Sequence, residues 1–182
     1  PPPTVLRSAG LAPGLAACAS ASDRTPPEQR PGGQVNLLTV AANAPALAVS
    51  SVSFYAVKGR NAGADIWYRP LAGQQDSTKL LEFRMGGSTL DRRPDGSVIA
   101  AGDSVLITVT VSDATHLIVQ FQPSGLTFSA NDPAKLRLFF GESGDDLDHN
   151  GPVDADDDDV AQRLSIRRTA AVGQPWCKLP TA

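Results

Sequence analysis

Between Asp145 and Asp159 the chain places eight aspartates in fifteen positions, and their order is that of a ligand set. Asp146, Asp148, Asn150, Pro152, Asp154 and Asp157 occupy positions 1, 3, 5, 7, 9 and 12 of one twelve-residue loop, with Gly151 at position 6. A hard cation takes six to eight oxygens, and this spacing supplies them. Side chains serve at positions 1, 3 and 5, and position 9 often acts through a water. A carboxylate closes the set at position 12. Only a backbone carbonyl is needed at position 7, so Pro152 is no handicap. Gly151 permits the sharp turn at position 6, and Val153 at position 8 is expected to point inward. The set is all oxygen and roomy, which favours calcium over magnesium. Eight aspartates also repel one another in any compact loop unless a cation, or the arginines that follow (Arg163, Arg167 and Arg168), compensate. The plain alternative stays open: Asp-rich composition alone generates such spacing in a solvated turn.

Few other residues offer chemistry. The two histidines, His116 and His149, have no partner histidine for a zinc site. His116 leads a strand as a surface residue, and His149 falls at an outward-pointing loop position. Ser124 lies in a Pro-Ser-Gly turn without the strand–turn–helix frame of a nucleophile. Glu82 and Glu142 are the only glutamates among the strands. The expectation is a protein without enzymatic activity. Trp67, Tyr68 and Trp176 are candidates for an aromatic platform for sugars, with core packing the simpler role for Trp176.

The elements that must position the loop are strands. Period-two alternation runs through Ser51–Lys58 (Val52, Phe54 and Ala56 on one face), Lys79–Met85 (Leu81, Phe83, Met85) and Ser104–Val111 (Val105, Ile107, Val109, Val111). His116–Gln122 and Ala134–Phe140 repeat it, and shorter runs are expected at Val35–Val40, Ala64–Arg69, Leu126–Ser129, around Leu164–Ile166 and at Pro175–Leu179. Arg93-Pro94-Asp95-Gly96 is a turn, because proline fixes φ and glycine accepts positive φ. No segment sustains a helical period, and at most one helical turn is expected near Ala155–Gln162. Fifteen prolines and sixteen glycines punctuate the 182 residues. Alternation with one wet face predicts an all-β fold, an antiparallel β-sandwich with immunoglobulin-like layers and the acidic loop 144–159 inserted between strands. The expected domain spans 35–182.

Ahead of it, Arg7 precedes a short run of apolar and small residues ending Leu15-Ala16-Ala17-Cys18. A basic residue, an apolar stretch and small residues make an export signal. The ending resembles a bacterial lipobox, which implies that residues 1–18 are a lipoprotein signal segment and that Cys18 carries the lipid. Ala19 after it implies the outer membrane in a two-membrane cell. Were Cys18 not lipidated, a Cys18–Cys177 disulfide becomes the alternative. Otherwise Cys177, beside Trp176, reads as a buried inert thiol. Residues 19–34 are rich in Ser, Asp, Pro, Gln and Gly, which suits a disordered tether. A net charge of −3 argues against a nucleic-acid partner, and no apolar run is long enough to span a bilayer. Membrane contact is expected through a lipid anchor only.

Two further resemblances follow. Gly102–Val109, Val119-Gln120-Phe121-Gln122-Pro123-Ser124-Gly125-Leu126-Thr127-Phe128 and Pro133–Leu136, with Gln174-Pro175-Trp176, resemble the ZU-five-type β-sandwich domains of ankyrins, netrin receptors, tight-junction scaffolds and bacterial envelope lipoproteins. That resemblance covers about Ser51–Leu179 and implies a structural or protein-interaction role. Asp rather than Glu at loop position 12 is similar to dockerin loops more than to EF-hands. A lone extracellular loop of this kind binds calcium with a Kd on the order of 10⁻⁴–10⁻³ M. The sequence therefore reads as a non-enzymatic lipoprotein of the bacterial cell envelope whose partner is an unidentified protein or glycan. The alternative is a calcium-assisted carbohydrate- or surface-binding module, which requires Trp67 and Tyr68 exposed beside the loop.

Overall fold

The computed structural model describes residues 9–11 (backbone only), 36–71, 73, 77–148, 150–169 and 177–179. In chain order the strands are β1 (Ala9–Leu11), β2 (Ser51–Val57), β3 (Ala62–Trp67), β4 (Lys79–Met85), β5 (Leu90–Arg92), β6 (Ser104–Asp113), β7 (Ile118–Gln122), β8 (Thr127–Phe128), β9 (Ala134–Leu138), β10 (Arg167–Arg168) and β11 (Cys177–Lys178). A single 3-10 turn, Gly141–Ser143, and one helix, α1 (Ala155–Arg163), lie between β9 and β10. Every ladder is antiparallel. One sheet runs β1-β9-β4-β3 and another β2-β6-β7, with short pairs β5-β8 and β10-β11. The all-β expectation holds.

Alternation explains which face each sheet buries. The register sets Phe83 opposite Ala64 and Leu136, and Leu81 opposite Ile66 and Leu138. In the second sheet Phe54 lies opposite Ile107, and Val109 between Val52 and Phe121. These faces share one core centred on Phe83, which is fully buried. Its ring centroid lies 5.1 Å from Phe121, 6.4 Å from Phe54 and 6.5 Å from Phe128, all tilted. Such aromatic contacts add to the area they bury.

The outer faces differ. Across β3, β4 and β9 the charges alternate in sign: Arg84 pairs with Asp65 at 2.7 Å, Lys79 with Glu82 at 3.0 Å and Arg137 with Glu82 at 3.3 Å. Burial pushes the Asp65 carboxyl up, but the Arg84 hydrogen bond and the charges of Arg84 and Lys79 outweigh it and hold it below its ordinary value. Across β2 and β6 the outer face is uncharged. The hydroxyls of Ser51 and Thr110, and of Ser53 and Thr108, pair at 2.8 Å.

Three expected strands change, the first being that around Leu164–Ile166, where strand begins only at Arg167. Residues 36–40 form no strand; Val40 N–H donates to the Thr115 carbonyl at 2.8 Å while Leu38 and Val40 pack on the core. The run is anchored by side chains and has no ladder partner. The strand expected from His116 begins at Ile118, because the Asp113 carboxylate accepts from the Thr115 and His116 N–H groups and Leu117 takes a positive φ of 56°. Val35 and Trp176 lie outside the described residues, so only Cys177–Leu179 of Pro175–Leu179 is seen. The backbone of Ala9–Leu11, inside the segment read as a signal, pairs with Ala134–Leu136.

Tyr68 is 2% exposed, and its hydroxyl has no hydrogen-bond partner among the described residues. Burial first, and the charge of Glu142 second, push its pKa from 10.0 up to about 12. The folded state thus holds this proton more tightly than the unfolded chain. The associated stability is complete below pH 10 and is lost as pH rises through about 12. Tyr68→Phe removes an orphaned buried hydroxyl, so it should leave the neutral-pH melting temperature unchanged or raise it by about 2–4 °C. It should also flatten the alkaline loss of stability. Thermal melts of both forms from pH 7 to 12 check this; a fall in melting temperature at pH 7 would show that the hydroxyl has a partner.

Candidate metal centre

The acidic stretch folds around the start of α1. Asp154 is the N-cap, its side chain accepting from the Asp156 N–H at 2.9 Å, while the Asp157 side chain accepts from the Asp154 N–H at 2.9 Å. This reciprocal capping box satisfies amides that a helix start leaves unpaired. The helix dipole also favours the carboxylates of its first turn, Asp156, Asp157 and Asp158, and Arg163 closes the far end against Asp159 at 3.6 Å. Here lies the reason that nine residues are helical where a single turn was expected. The local pattern Asp154-Ala155-Asp156-Asp157 carried the signal, with Asp in the place of the usual Glu.

Asp157 does more than cap. It is 4% exposed. Its Oδ1 accepts from the Leu147 N–H at 2.6 Å and the Asp148 N–H at 3.2 Å, while Oδ2 takes the Asp154 amide. One carboxylate therefore ties the entry of the loop to its exit. The entry side is organised likewise. Asp146 accepts from the N–H groups of Asn150 (3.1 Å) and Gly151 (3.0 Å), and Asp148 from the Asn150 N–H (3.0 Å) and side-chain amide (2.8 Å). Gly151 sits at φ 103°, where a side chain would be strained.

These turns bring one oxygen each of Asp146, Asp148 and Asp157 within 4.8 Å of one another. Two unit charges at 4.8 Å repel by about 1 kcal/mol in water and about 3 kcal/mol at an effective dielectric near 20. Each carboxylate oxygen has two lone pairs, so accepting a backbone amide leaves capacity to ligate. The triad is an arrangement that can hold a metal ion, and its donors are all oxygen.

The remaining expected ligands take other places. The side chain of Asp154 is engaged in helix capping, and Asn150 turns its amide nitrogen to Asp148. Pro152 is exposed at the loop's outer turn. Val153 does not point inward: it is 66% exposed, and Leu147 packs toward the core in its stead. A lone loop has no second loop against which position 8 can pair. His149 lies outside the described residues.

Elsewhere the chemically capable residues serve local structure. His116 contacts Asp113 at 2.8 Å, and that hydrogen bond holds the Asp113 carboxyl below its ordinary value. Glu142 accepts from Thr78 at 2.6 Å, and Glu82 belongs to the charge lattice. Trp67 is 38% exposed, with the Lys79 ammonium 4.7 Å from its ring centroid. Cys177 is half-buried and disulfide-bonded, which corrects its reading as an inert thiol. The chain has one other cysteine, Cys18, which lies outside the described residues. Compared with protein-family models, curated proteins and solved structures, the chain matches none.

Asp157→Ala leaves the amides of Leu147 and Asp154 without acceptors and opens both ends of the loop. Both bonds are part-buried and an orphaned donor costs up to about 1–3 kcal/mol, so unfolding free energy should fall by about 2 kcal/mol or more. Asp159→Ala, at an exposed pair, should cost about 0–1 kcal/mol. Chemical denaturation of the two variants checks the contrast. Equal effects would remove the tying role assigned to Asp157.

Proposed function

We propose that the protein is a non-enzymatic component of the bacterial cell envelope, a β-sandwich whose acidic loop is stiffened by calcium and whose role is structural or protein-binding. The observation that carries the calcium reading is the convergence of Asp146, Asp148 and Asp157 on one point through turns that their own carboxylates organise. The ligand chemistry is hard and all-oxygen, as calcium requires. The sandwich reading draws support from two oppositely faced sheets meeting at Phe83, Phe54 and Phe121. The likeness to ZU-five-type domains is carried by the same alternating strands.

Burial of Tyr68, and the ammonium over Trp67, speak for this role over the carbohydrate-binding alternative, since Trp67 and Tyr68 do not form an open pair of rings. For localisation, the lipobox-like Leu15-Ala16-Ala17-Cys18 supports anchoring through a lipid on Cys18. A bonded Cys177 supports a second form of the same export reading, in which the cysteines are oxidised and the protein is exported without lipid. A thioether and a disulfide on one sulfur exclude each other.

Calorimetric titration of calcium into the full chain should give saturable heat with a Kd on the order of 10⁻⁴–10⁻³ M. Asp146→Ala/Asp148→Ala should abolish that heat. The melting temperature should rise with calcium and not with equimolar magnesium. Absence of heat at millimolar calcium would reduce the loop to a solvated turn. Intact mass of the protein from a bacterial envelope fraction separates the two export forms: lipid addition at Cys18, or a mass two hydrogens below the reduced chain.

A further inference from the structure

Among the chain's five asparagines, Asn36, Asn43 and Asn61 precede Leu or Ala, Asn131 precedes Asp, and Asn150 alone precedes Gly. The dipeptide matters because an asparagine side chain can react with the backbone nitrogen that follows it. A β-carbon on the next residue crowds that nitrogen, and glycine has none. Asn150 and Gly151 are both exposed. Among the described residues, nothing lies within 4 Å of the place a Gly151 side chain would take. Water therefore reaches the pair.

Carboxylates hold both reacting groups. The Gly151 N–H donates to Asp146 Oδ2 at 3.0 Å, and the Asn150 side-chain amide donates to Asp148 Oδ2 at 2.8 Å. The Asn150 N–H donates to Asp146 Oδ1 at 3.1 Å and to Asp148 Oδ1 at 3.0 Å, which fixes the backbone between them. To react, the Asn150 side chain must swing away from Asp148. The Gly151 nitrogen must also give up the proton that it shares with Asp146. Closure of the loop thus restrains the reaction, and local opening releases it.

We propose that Asn150 is a self-modification site that the closed loop guards. The Gly151 nitrogen attacks Asn150 Cγ as its proton passes to water. A C–N bond forms, the Cγ–Nδ2 bond breaks, and ammonia leaves behind a cyclic imide. Water then opens either carbonyl of the ring, giving aspartate or isoaspartate, and nothing is oxidised or reduced. Either product undoes the geometry that restrained it. A carboxylate at position 150 replaces a donor, so the hydrogen bond to Asp148 becomes a contact between like charges. Isoaspartate also adds a carbon to the backbone between two amides that Asp146 holds together. The change runs one way, from a closed loop to a loosened one. This inference stands on the loop's hydrogen bonds and needs no cation.

The test is incubation of the full chain at neutral pH in chelator, both folded and unfolded in guanidinium. Ammonia release gives the rate, and peptide mapping locates the converted residue. The expected result is conversion at Asn150 in the unfolded chain, slowed about tenfold or more in the folded one. Asp146→Ala/Asp148→Ala removes both acceptors and should bring the folded rate most of the way to the unfolded rate. Asn150→Gln should remove the conversion. Equal rates in the folded and unfolded chains overturn the proposal, as does conversion that spares Asn150. So does a double variant, shown by circular dichroism to be folded, that converts as slowly as the parent. The comparison of folded with unfolded parent decides the matter even where that variant does not fold.

Discussion

A single buried carboxylate sets the shape of the acidic loop. Asp157 accepts amides from Leu147 and Asp148 at the entry and from Asp154 at the exit, and both ends must close for all three bonds to exist. That closure forces Asp146 and Asp148 toward the same point, against their mutual repulsion. The hydrogen bonds that shape the loop are thus the agents that gather its negative charge. Helix α1 absorbs part of that charge through its N-terminal dipole, and Arg163 absorbs a little more at low gain, since its pair with Asp159 is exposed. On the proposed reading, a calcium ion at the triad offsets the rest.

The β framework holds the loop between β9 and β10, and its two outer faces have different characters. The β3-β4-β9 face is a lattice of paired charges, which keeps it wet and discourages sheet stacking. The β2-β6 face is hydroxyl-rich and uncharged.

Much of the framework was legible because one face of each sheet is dry. Val105, Ile107, Val109 and Val111 alternate in sequence and are all buried, as are Leu81, Phe83 and Met85. What alternation did not convey was termination. Asp113 ends one strand and delays the next through its side-chain hydrogen bonds, and residues 36–40 have an apolar pattern but no ladder partner. In the loop, spacing identified Asp146, Asp148 and Asp157, since side-chain direction there follows from the Gly151 turn. It misplaced Val153, and it did not foresee that Asp154 caps a helix. Composition read the aspartate run as repulsive turn, and it missed that a helix N-terminus stabilises acidic residues.

The most direct measurement of the central claim is residue-resolved amide exchange of the loop in calcium and in chelator. Leu147, Asp148, Asn150, Gly151 and Asp154 donate the amides that the three carboxylates hold. If a cation offsets the gathered charge, these five amides should exchange markedly more slowly in calcium, while Val109 and Phe83 in the core strands stay unchanged. Identical exchange of the five in calcium and chelator would contradict the account. It would mean that the loop closes on its hydrogen bonds alone.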